Sequence, residues 1–386
     1  MRDLAPDLQR RRDEALYRTR RVVQGRAGPE IVVDGERMLA FCSNDYLGLA
    51  GDARVADAMV RGVETYGVGS GAAHLVTGHV AAHHALEEEL AEFTGRPRAV
   101  LFSTGYMANL GVIGALAGRG DSVFADRLNH ASLIDGALLS GARFRRYAHA
   151  DTAALEARMA GVGGERLVAT DGVFSMDGDV APLRDLVKTC RRHGAWLMVD
   201  DAHGLGVLGD GGRGSLAHSG LGLDDVPELV GTLGKAFGTF GAFVAGSEDL
   251  VEMVIQRARP YIYTTAPPPS VAAATRVGLR IAAAEQWRRE KLAALVRRFR
   301  DGARQLALPI MDSQTPIQPV VAESAARAIN WSRKLEASGI LVTAIRPPTV
   351  PDGSARLRVT FSALHEEAHV DRLLDELSAL PRGDLA

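Results

Sequence analysis

Residues 98–116 read RAVLFSTGYMANLGVIGAL, and they begin the pattern that decides the fold. A short run of apolar and β-branched residues passes here into a segment with helical spacing. The same alternation returns in DSVFAD (121–126), HASLIDGALLSG (130–141), RLVATDGVF (166–174) and WLMVDDAH (196–203). Strands that alternate with helices predict βαβ units and a mostly parallel sheet covered on both faces. Ligands of such sheets bind at the carboxyl ends of the strands.

The C-terminal part of the chain follows a different pattern. A long helical stretch leads into IQPVVA (317–322), a helix, ILVTAI (340–345), ARLRVTF (355–361) and a last helix. These elements predict a smaller α+β unit. We therefore expect three segments, which are an N-terminal helix and extended segment (1–50), a large α/β domain (51–285) and a C-terminal α+β domain (286–386).

Composition places the chain among ordinary globular proteins. Of its 386 residues, 46% are hydrophobic and 24% charged, and the net charge is -2, which argues against a nucleic-acid partner. Cys42 and Cys190 have no CxxC or Cys/His spacing, so neither a disulfide framework nor a zinc site is predicted, and no metal is expected. The sequence has no signal-peptide pattern and no apolar run long enough for a membrane span. We expect a cytoplasmic protein without a membrane partner.

The first candidate catalytic residue is Lys235, in GTLGKAFG (231–238). A lysine that forms a Schiff base must reach a carbonyl carbon and lose its proton near neutral pH, and small neighbours in a desolvated setting favour both. The pattern is weak evidence when it stands alone. A solvated loop lysine is the alternative.

Three other features point to the same chemistry. The strand WLMVDDAH ends in Asp200, Asp201 and His203, and pyridoxal phosphate needs an anion beside its ring nitrogen. STGYMAN (103–109) offers backbone N–H groups to a phosphate where a strand passes into a helix. His130, in NHAS, lies at the next such junction, where its ring could stack on a planar cofactor. Either aspartate could instead cap the following turn, but together these features favour pyridoxal phosphate.

A second glycine-rich stretch, GLGVLG (204–209), matches the GxGxxG pattern of dinucleotide-binding proteins. The residues after it lack an apolar helical period, so the helix whose N-terminus would bind the pyrophosphate is missing from the pattern. We do not predict a dinucleotide site.

The sequence resembles the α-oxoamine synthase family, which belongs to the fold-type-I superfamily of pyridoxal-phosphate enzymes. The resemblance covers nearly the whole chain and includes SNDYLGLA (43–50), DRLNHASLIDGA (126–137), DGVFSMDGDVAPL (171–183), VDDAHGLGVLGDGGRG (199–214) and TAIRPPTVPDGSARLRVT (343–360). It implies an aspartate-aminotransferase-like large domain with a mostly parallel seven-stranded sheet. It also implies a homodimer whose active site lies at the subunit interface.

The resemblance also implies roles for individual residues. Lys235 would bind the cofactor aldehyde, Asp200 would face the ring nitrogen, His203 would contact the ring oxygen and His130 would stack on the ring. The residues expected at the phosphate end or otherwise against the cofactor are Gly105, Tyr106, Ser175 and Thr232. The residues expected to contact substrate are Arg18, Asn44, His130, Thr349 and Arg358, with Arg358 binding the amino-acid carboxylate.

Two arginine groups leave alternatives open. In ARLRVTF, Arg356 and Arg358 share one face of a strand, which could bind an anion or could be an exposed basic face. Relatives use an N-terminal arginine to contact the acyl substrate, and the run LYRTRR offers Arg18, Arg20 and Arg21 without deciding between them. This chain also has Ala73 and His74 where relatives often carry serine and arginine or glycine.

The implied activity is the decarboxylative condensation of an amino acid with an acyl thioester. TAIRPPTVPDGSARLRVT favours the member of the family that joins L-alanine to a pimeloyl thioester, carried by an acyl carrier protein or by coenzyme A. The closest rival is the member that joins glycine to acetyl-CoA. A different class of function, a non-catalytic partner subunit, is disfavoured because Lys235, Asp200 and His203 are all present.

Overall fold

The structure is a computed structural model of the chain, and it describes residues 2–14 and 16–381. The described residues divide into two compact units. The larger unit comprises residues 47–175 and 179–289, and the smaller comprises the residues up to 46, 176–178 and those from 290 onwards. The boundary after Arg289 falls within a helix.

The strands are β1 Val23–Gln24, β2 Glu30–Val33, β3 Glu36–Ala40, β4 Arg98–Phe102, β5 Ser122–Asp126, β6 Arg143–Tyr147, β7 Arg166–Asp171, β8 Trp196–Asp200, β9 Glu228–Thr232, β10 Ala242–Gly246, β11 Ile317–Glu323, β12 Ile340–Leu341, β13 Thr343–Ile345 and β14 Ala355–Thr360. The helices are α1 Ala5–Asp13, α2 Ala53–Tyr66, α3 Ala81–Thr94, α4 Gly105–Leu116, α5 Ala131–Leu139, α6 Thr152–Met159, α7 Leu183–His193, α8 Gly214–His218, α9 Glu248–Arg257, α10 Arg259–Ile262, α11 Pro269–Ala284, α12 Gln286–Gln305, α13 Ala325–Ala337 and α14 Glu367–Ser378. A π-helical turn, His74–Gly78, precedes α3, and a 3₁₀ turn covers Asp210–Gly212.

The larger unit is built on a seven-stranded sheet in the order β4-β10-β9-β8-β7-β5-β6. Strand β10 is antiparallel to both neighbours, and the pairs β9-β8, β8-β7, β7-β5 and β5-β6 are parallel. The predicted fold class, a mostly parallel seven-stranded sheet of the fold-type-I kind with a smaller α+β unit, is confirmed.

Alternation along the central strands produces two separate cores. In β8, Met198 packs in one apolar cluster, with residues of α4, α5 and α9, whereas Leu197 and Val199 pack in another, with residues of α6 and α7. Successive side chains of a strand point to opposite faces, so near-continuous apolar runs are required when both faces are covered. This is why the strands read as apolar until their last residues.

The polar residues that end these strands fall at one edge of the sheet. Strand β4 leads to Thr104, β5 to His130, β8 ends at Asp200 and β9 leads to Lys235. Because these strands run in the same direction, their carboxyl ends share the edge where α/β proteins bind ligands.

The smaller unit has two sheets. Strands β11, β14 and β13 form an antiparallel sheet in that order. Strands β1, β2 and β3 from the N-terminal segment form the other, and β3 pairs in parallel with β12 from the C-terminal segment. The helices α13 and α14 belong to the same unit. Within the described ranges, no helix has both the length and the apolar character needed to cross a membrane.

Candidate active site

Lys235 lies in the loop that joins β9 to β10, and its amine is close to a histidine. The distance from Lys235 Nζ to His203 Nε2 is 2.8 Å. Gly238 allows the loop to pack tightly. Its φ is +71°, and a side chain at this position would place a Cβ against the backbone of Leu49 and Ala50. The predicted pair of lysine and histidine is therefore brought together by two strand ends that adjoin in the sheet.

The two neighbouring aspartates at the end of β8 have different surroundings. Asp200 Oδ2 accepts a hydrogen bond of 2.6 Å from Asn109 Nδ2, and its Oδ1 accepts one of 3.1 Å from the Ala202 N–H. Asp201 is fully buried, and its Oδ2 accepts a 2.7 Å bond from the Ser215 N–H at the start of α8. Burial raises the pKa of Asp201 to about 7. Asp200 therefore caps the turn that follows β8 through Oδ1 and bonds to α4 through Oδ2, whereas Asp201 bonds to the start of α8.

His130 is linked to Asp200 through two other side chains. His130 Nδ1 lies 2.7 Å from Ser132 Oγ, and Ser132 Oγ accepts a 2.7 Å hydrogen bond from the same Asn109 amide that binds Asp200. The His130 N–H also donates to Asp171 Oδ2 at 2.7 Å, which fixes the histidine at the N-terminus of α5. Burial lowers the pKa of His130; the charge of Asp200 opposes this shift and the charge of Lys235 adds to it. The net shift favours the neutral form of the ring.

The start of α4 presents backbone donors beside this network. Thr104 caps the helix by accepting a 3.2 Å bond from the Met107 N–H. The first N–H groups of a helix, here including those of Gly105 and Tyr106, have no intrahelical acceptor, and they attract anions. A Cβ on Gly105 would meet no described atom within 4 Å, so there is space beside this residue. The Tyr106 hydroxyl donates to the Asp135 carboxylate.

Two further predicted cofactor contacts belong to the same unit. The Thr232 hydroxyl donates to the Gly241 carbonyl at 3.2 Å and accepts from the Gly234 N–H at 3.4 Å, so it is bonded within the loop that carries Lys235. Ser175 is half-buried in the turn after β7. Both roles stay predictions.

In the smaller unit, Arg356 and Arg358 of β14 are both buried. Arg356 forms an ion pair with Asp177 at 2.6 Å. Arg358 donates twice to Asn44 Oδ1, at 3.2 Å each, and the Tyr46 hydroxyl donates to the same oxygen at 3.2 Å. The alternative of an exposed basic face is therefore wrong. Arg358 and Asn44, two predicted substrate contacts, are brought together.

Arg18 and Thr349, the other predicted substrate contacts, line one cavity of the smaller unit, of about 370 Å³. Of the alternative arginines, Arg21 forms ion pairs with Asp34 and Glu336, and Arg20, which is exposed like Arg18, is not among the residues that line this cavity. Of the three arginines, Arg18 is the one that lines the cavity, and its role stays a prediction.

Sequence reasoning missed four residues around these sites. Asn109, Ser132 and Asp171 orient predicted residues, and Arg346 lines the cavity with Arg18. Burial lowers the pKa of Arg346, assisted by the positive charges of Arg18 and Arg333. An available signal was Asn109 itself, a polar side chain in the otherwise apolar helix GYMANLGVIGAL.

Comparison with known proteins agrees with this geometry. Residues 36–377 match the family described as aminotransferase class I and II. The chain is 63% identical over 385 residues to the 8-amino-7-oxononanoate synthase of Thioalkalivibrio sulfidiphilus, covering 99% of this chain and 98% of that one. It is also 63% identical over 372 residues to the 8-amino-7-oxononanoate synthase of Nitrosococcus oceani, covering 96% and 99%.

Solved structures give the same picture. A serine palmitoyltransferase from S. paucimobilis with a bound PLP–myriocin aldimine superposes with a TM-score of 0.93 and 32% identity, covering 98% of this chain and 96% of that one. The 8-amino-7-oxononanoate synthase of Francisella tularensis superposes with a TM-score of 0.78 and 34% identity, covering 88% and 97%. The predicted family membership is confirmed. The chain belongs to the aminotransferase class I and II family and, within it, to the 8-amino-7-oxononanoate synthases.

Proposed function

We propose that the chain condenses L-alanine with a pimeloyl thioester, releasing CO2, the thiol carrier and 8-amino-7-oxononanoate, as a step of biotin biosynthesis. The observation that carries this proposal is the juxtaposition of Lys235 Nζ and His203 Nε2 at 2.8 Å, beside a buried aspartate, in a chain 63% identical to 8-amino-7-oxononanoate synthases. The 63% identity to two 8-amino-7-oxononanoate synthases favours the oxononanoate reaction over the sphingoid-base reaction.

The cofactor is pyridoxal 5'-phosphate, and the residues present fit it. The donor set contains an amine, a strand-end carboxylate, two imidazoles and a helix N-terminus with open space beside Gly105. We assign the aldehyde to Lys235, the ring nitrogen to Asp200, the ring oxygen to His203 and the ring face to His130. The residues proposed at the phosphate end and along the cofactor are Gly105, Tyr106, Ser175 and Thr232. When bound, the cofactor supplies an aldehyde for the substrate amine and a ring that accepts the electron pair released at the α-carbon.

Lys235 has the central role in proton transfer. Lys235 Nζ would remove the α-proton of alanine and later return a proton to the same carbon. His203 Nε2, 2.8 Å away, orients Lys235 and is positioned to polarise the incoming thioester carbonyl. The Asn109 amide and the Ala202 N–H donate to the two oxygens of Asp200 and fix the position of the carboxylate that would face the ring nitrogen.

The smaller unit supplies the proposed substrate contacts. Arg358 presents a buried guanidinium that donates twice to the Asn44 amide oxygen, and we propose that it binds the carboxylate of alanine. Arg356 forms an ion pair with Asp177. We propose that Arg18 and Thr349, which line one cavity, contact the acyl substrate and the amino-acid substrate respectively.

We also propose a homodimer in the cytoplasm, with the active site completed at the subunit interface. In support, Met59, Val63 and Tyr66 form an exposed apolar stripe at helical spacing along α2, and Val68 beyond it is 80% exposed. Size-exclusion chromatography with light scattering tests this. A monomer at all protein concentrations would contradict it.

The function is tested by offering paired substrates to the purified holoenzyme. L-alanine is combined with pimeloyl-CoA or pimeloyl-acyl carrier protein, and glycine with acetyl-CoA and L-serine with palmitoyl-CoA serve as competitors. Mass spectrometry of the products and titration of the freed thiol should show preference for alanine with a pimeloyl donor. A higher kcat/KM for glycine with acetyl-CoA would refute the proposal, and the ratio for the two pimeloyl donors identifies the natural carrier.

A further inference from the structure

A cluster of histidines and one partly buried glutamate lies in the larger unit, outside the residues assigned to catalysis. His79 follows the π-helical turn His74–Gly78, and His84 and Glu87 lie three residues apart on α3. Residues at this spacing share one side of a helix. One ligand atom from each of the three lies within 4.8 Å of the others. His79, His84 and Glu87 also line a cavity of about 430 Å³.

The contact between His79 and Glu87 is too long for a hydrogen bond. His79 Nε2 lies 3.8 Å from Glu87 Oε2. Two ligands that each lie about 2.0–2.2 Å from one zinc ion in tetrahedral geometry are separated by about 3.4 Å. The observed separation is within a small side-chain adjustment of that value. A cation between His79 Nε2 and Glu87 Oε2 would bind both atoms.

The polar atoms of His79 and Glu87 that do not face each other have neighbours of their own, as is usual for the outer atoms of metal ligands. Glu87 Oε1 accepts a 2.9 Å hydrogen bond from the Leu101 N–H, and His79 Nδ1 lies 3.0 Å from His74 Nδ1. Metal-bound imidazoles usually have their second nitrogen bonded to a neighbour, which fixes the tautomer and the ring orientation. If His79 Nδ1 donates to His74 Nδ1, then His79 Nε2 has its lone pair directed at Glu87.

His74 also bears on this assignment. It is 94% buried, and its Nε2 has no hydrogen-bond partner in the described part of the chain. A histidine that accepts at Nδ1 from His79 carries its proton on Nε2, so this nitrogen is a buried donor without an acceptor. Unsatisfied buried polar groups are rare in native proteins, and this one belongs to the histidine that contacts His79.

His83, although close, is not a ligand. Its Nδ1 accepts from the Val80 N–H at 3.2 Å, and its Nε2 lies 2.8 Å from the Pro267 carbonyl, so both ring nitrogens have partners.

The charged residues around the cavity are compatible with a bound cation. Arg98 lines the cavity, but its positive charge is paired with Glu252 at 2.8 Å. The negatively charged Glu88 carboxylate lies 3.5 Å from His84 Nε2.

We propose that His79, His84 and Glu87 bind a divalent transition-metal ion of the zinc class, with His74 as a positioning residue. Two imidazoles and one carboxylate are a ligand set that zinc uses in proteins, with further positions open to water. The prediction that no metal is bound rested on cysteine spacing, and this site uses no cysteine.

The test is calorimetric titration of Zn²⁺ into the holoenzyme, with Co²⁺ absorbance as a second readout. One ion per chain should bind, and Co²⁺ should give the visible bands of a four- or five-coordinate site. The variant His84→Ala removes an exposed ligand. The variant Glu87→Gln replaces the partly buried carboxylate ligand by an amide of the same shape. Each should weaken binding at least ~10-fold, and His74→Ala should weaken it by about 10- to 100-fold through loss of orientation.

The matched control is His193→Ala. His193 also faces a glutamate, Glu156, at 3.5 Å on the larger unit, so this variant removes a comparable pair. It should leave the zinc affinity unchanged. The absorbance of the bound cofactor must be retained in every variant, which shows that the fold is intact. Zinc affinity that is unchanged in both His84→Ala and Glu87→Gln, or the absence of stoichiometric binding to the unaltered holoenzyme, would overturn the proposal.

Discussion

Replacement of Asn109 by alanine should impair the enzyme although Asn109 is not proposed to touch substrate or cofactor. Its side-chain amide makes two hydrogen bonds, one of 2.6 Å to the Asp200 carboxylate and one of 2.7 Å to Ser132 Oγ. A hydrogen bond to a charged group is worth about 1.5–3 kcal/mol, and a neutral one about 1 kcal/mol. Asn109→Ala should therefore lower the free energy of unfolding by about 2.5–4 kcal/mol.

The catalytic effect follows from the charged bond. If its loss lets Asp200 move relative to the ring nitrogen, the same 1.5–3 kcal/mol appears in the activation barrier, and kcat/KM falls by about 10- to 150-fold. The assay is steady-state kinetics on the cofactor-saturated protein, with the absorbance of the bound cofactor recorded from pH 6 to pH 9. The absorbance of Asn109→Ala should depend on pH differently from that of the parent.

Ser132→Ala is the comparison variant because it removes the neutral bond to Asn109, together with the contact to His130 Nδ1, and leaves Asn109 bonded to Asp200. At about 1 kcal/mol for each neutral hydrogen bond, it should cost about 2 kcal/mol of stability and a smaller loss of kcat/KM than Asn109→Ala. Equal losses of kcat/KM in the two variants would show that the hydrogen bond to Asp200 has no special role. The reasoning would then be refuted.

Three further substitutions test other parts of the molecule. Lys235→Ala should abolish the visible absorbance of the bound cofactor and lower turnover by a factor of at least about 10²–10⁴, the usual contribution of a general base; an unchanged spectrum would rule out the assigned lysine. Burial lowers the pKa of His149, but hydrogen bonds and charge from Asp126 and Asp179 outweigh it and raise the pKa to about 10. The folded-state value exceeds the ordinary value of about 6.5, so this group stabilises the protein fully below pH 6.5 and progressively less up to pH 10. Urea unfolding should show His149→Gln to be less stable by about 2–3 kcal/mol at pH 6, a value discounted for partial solvent exposure, and the deficit should vanish above pH 10. Arg358→Lys should raise KM for alanine by about 10-fold or more with a smaller change in kcat, because a lysine cannot bind a carboxylate bidentately; an unchanged KM would exclude Arg358 as the carboxylate ligand.

The large unit was predictable because each step of its pattern is local. An apolar run of five or six residues followed by helical spacing identifies a strand and its crossover helix without knowledge of any distant segment. The N-terminal strands β1, β2 and β3 could not be found in this way. Strand β3 pairs with β12, about 300 residues later in the chain, and such pairing is decided by contacts that a short window does not contain.

The sequence predicts the site residues that lie at the ends of strands. It does not predict the residues whose role is to hold another side chain in place. Lys235, His203, Asp200 and His130 all follow apolar strands, so the rule for ligand sites in α/β sheets identifies their positions. Asn109 lies one turn inside a helix, and its partners Asp200 and Ser132 come from two other elements. A polar residue in an apolar helix indicates that a buried partner exists, but the pattern does not say which one.

Asp200 and Asp201 show why residue type does not decide a role in this site. The two residues are chemically identical and adjacent, and the alternation of a strand directs their side chains to opposite faces. Asp201 is bonded to the start of α8, and burial brings its pKa to about 7, so a fixed negative charge at neutral pH is not assured there. Asp200 receives an amide donor from α4 and a backbone donor from its own turn, and both fix the position of its carboxylate. The carboxylate that we propose for the cofactor ring is therefore positioned by the placement of α4 against β8, and a shift of one residue in the end of that strand would present the wrong carboxylate.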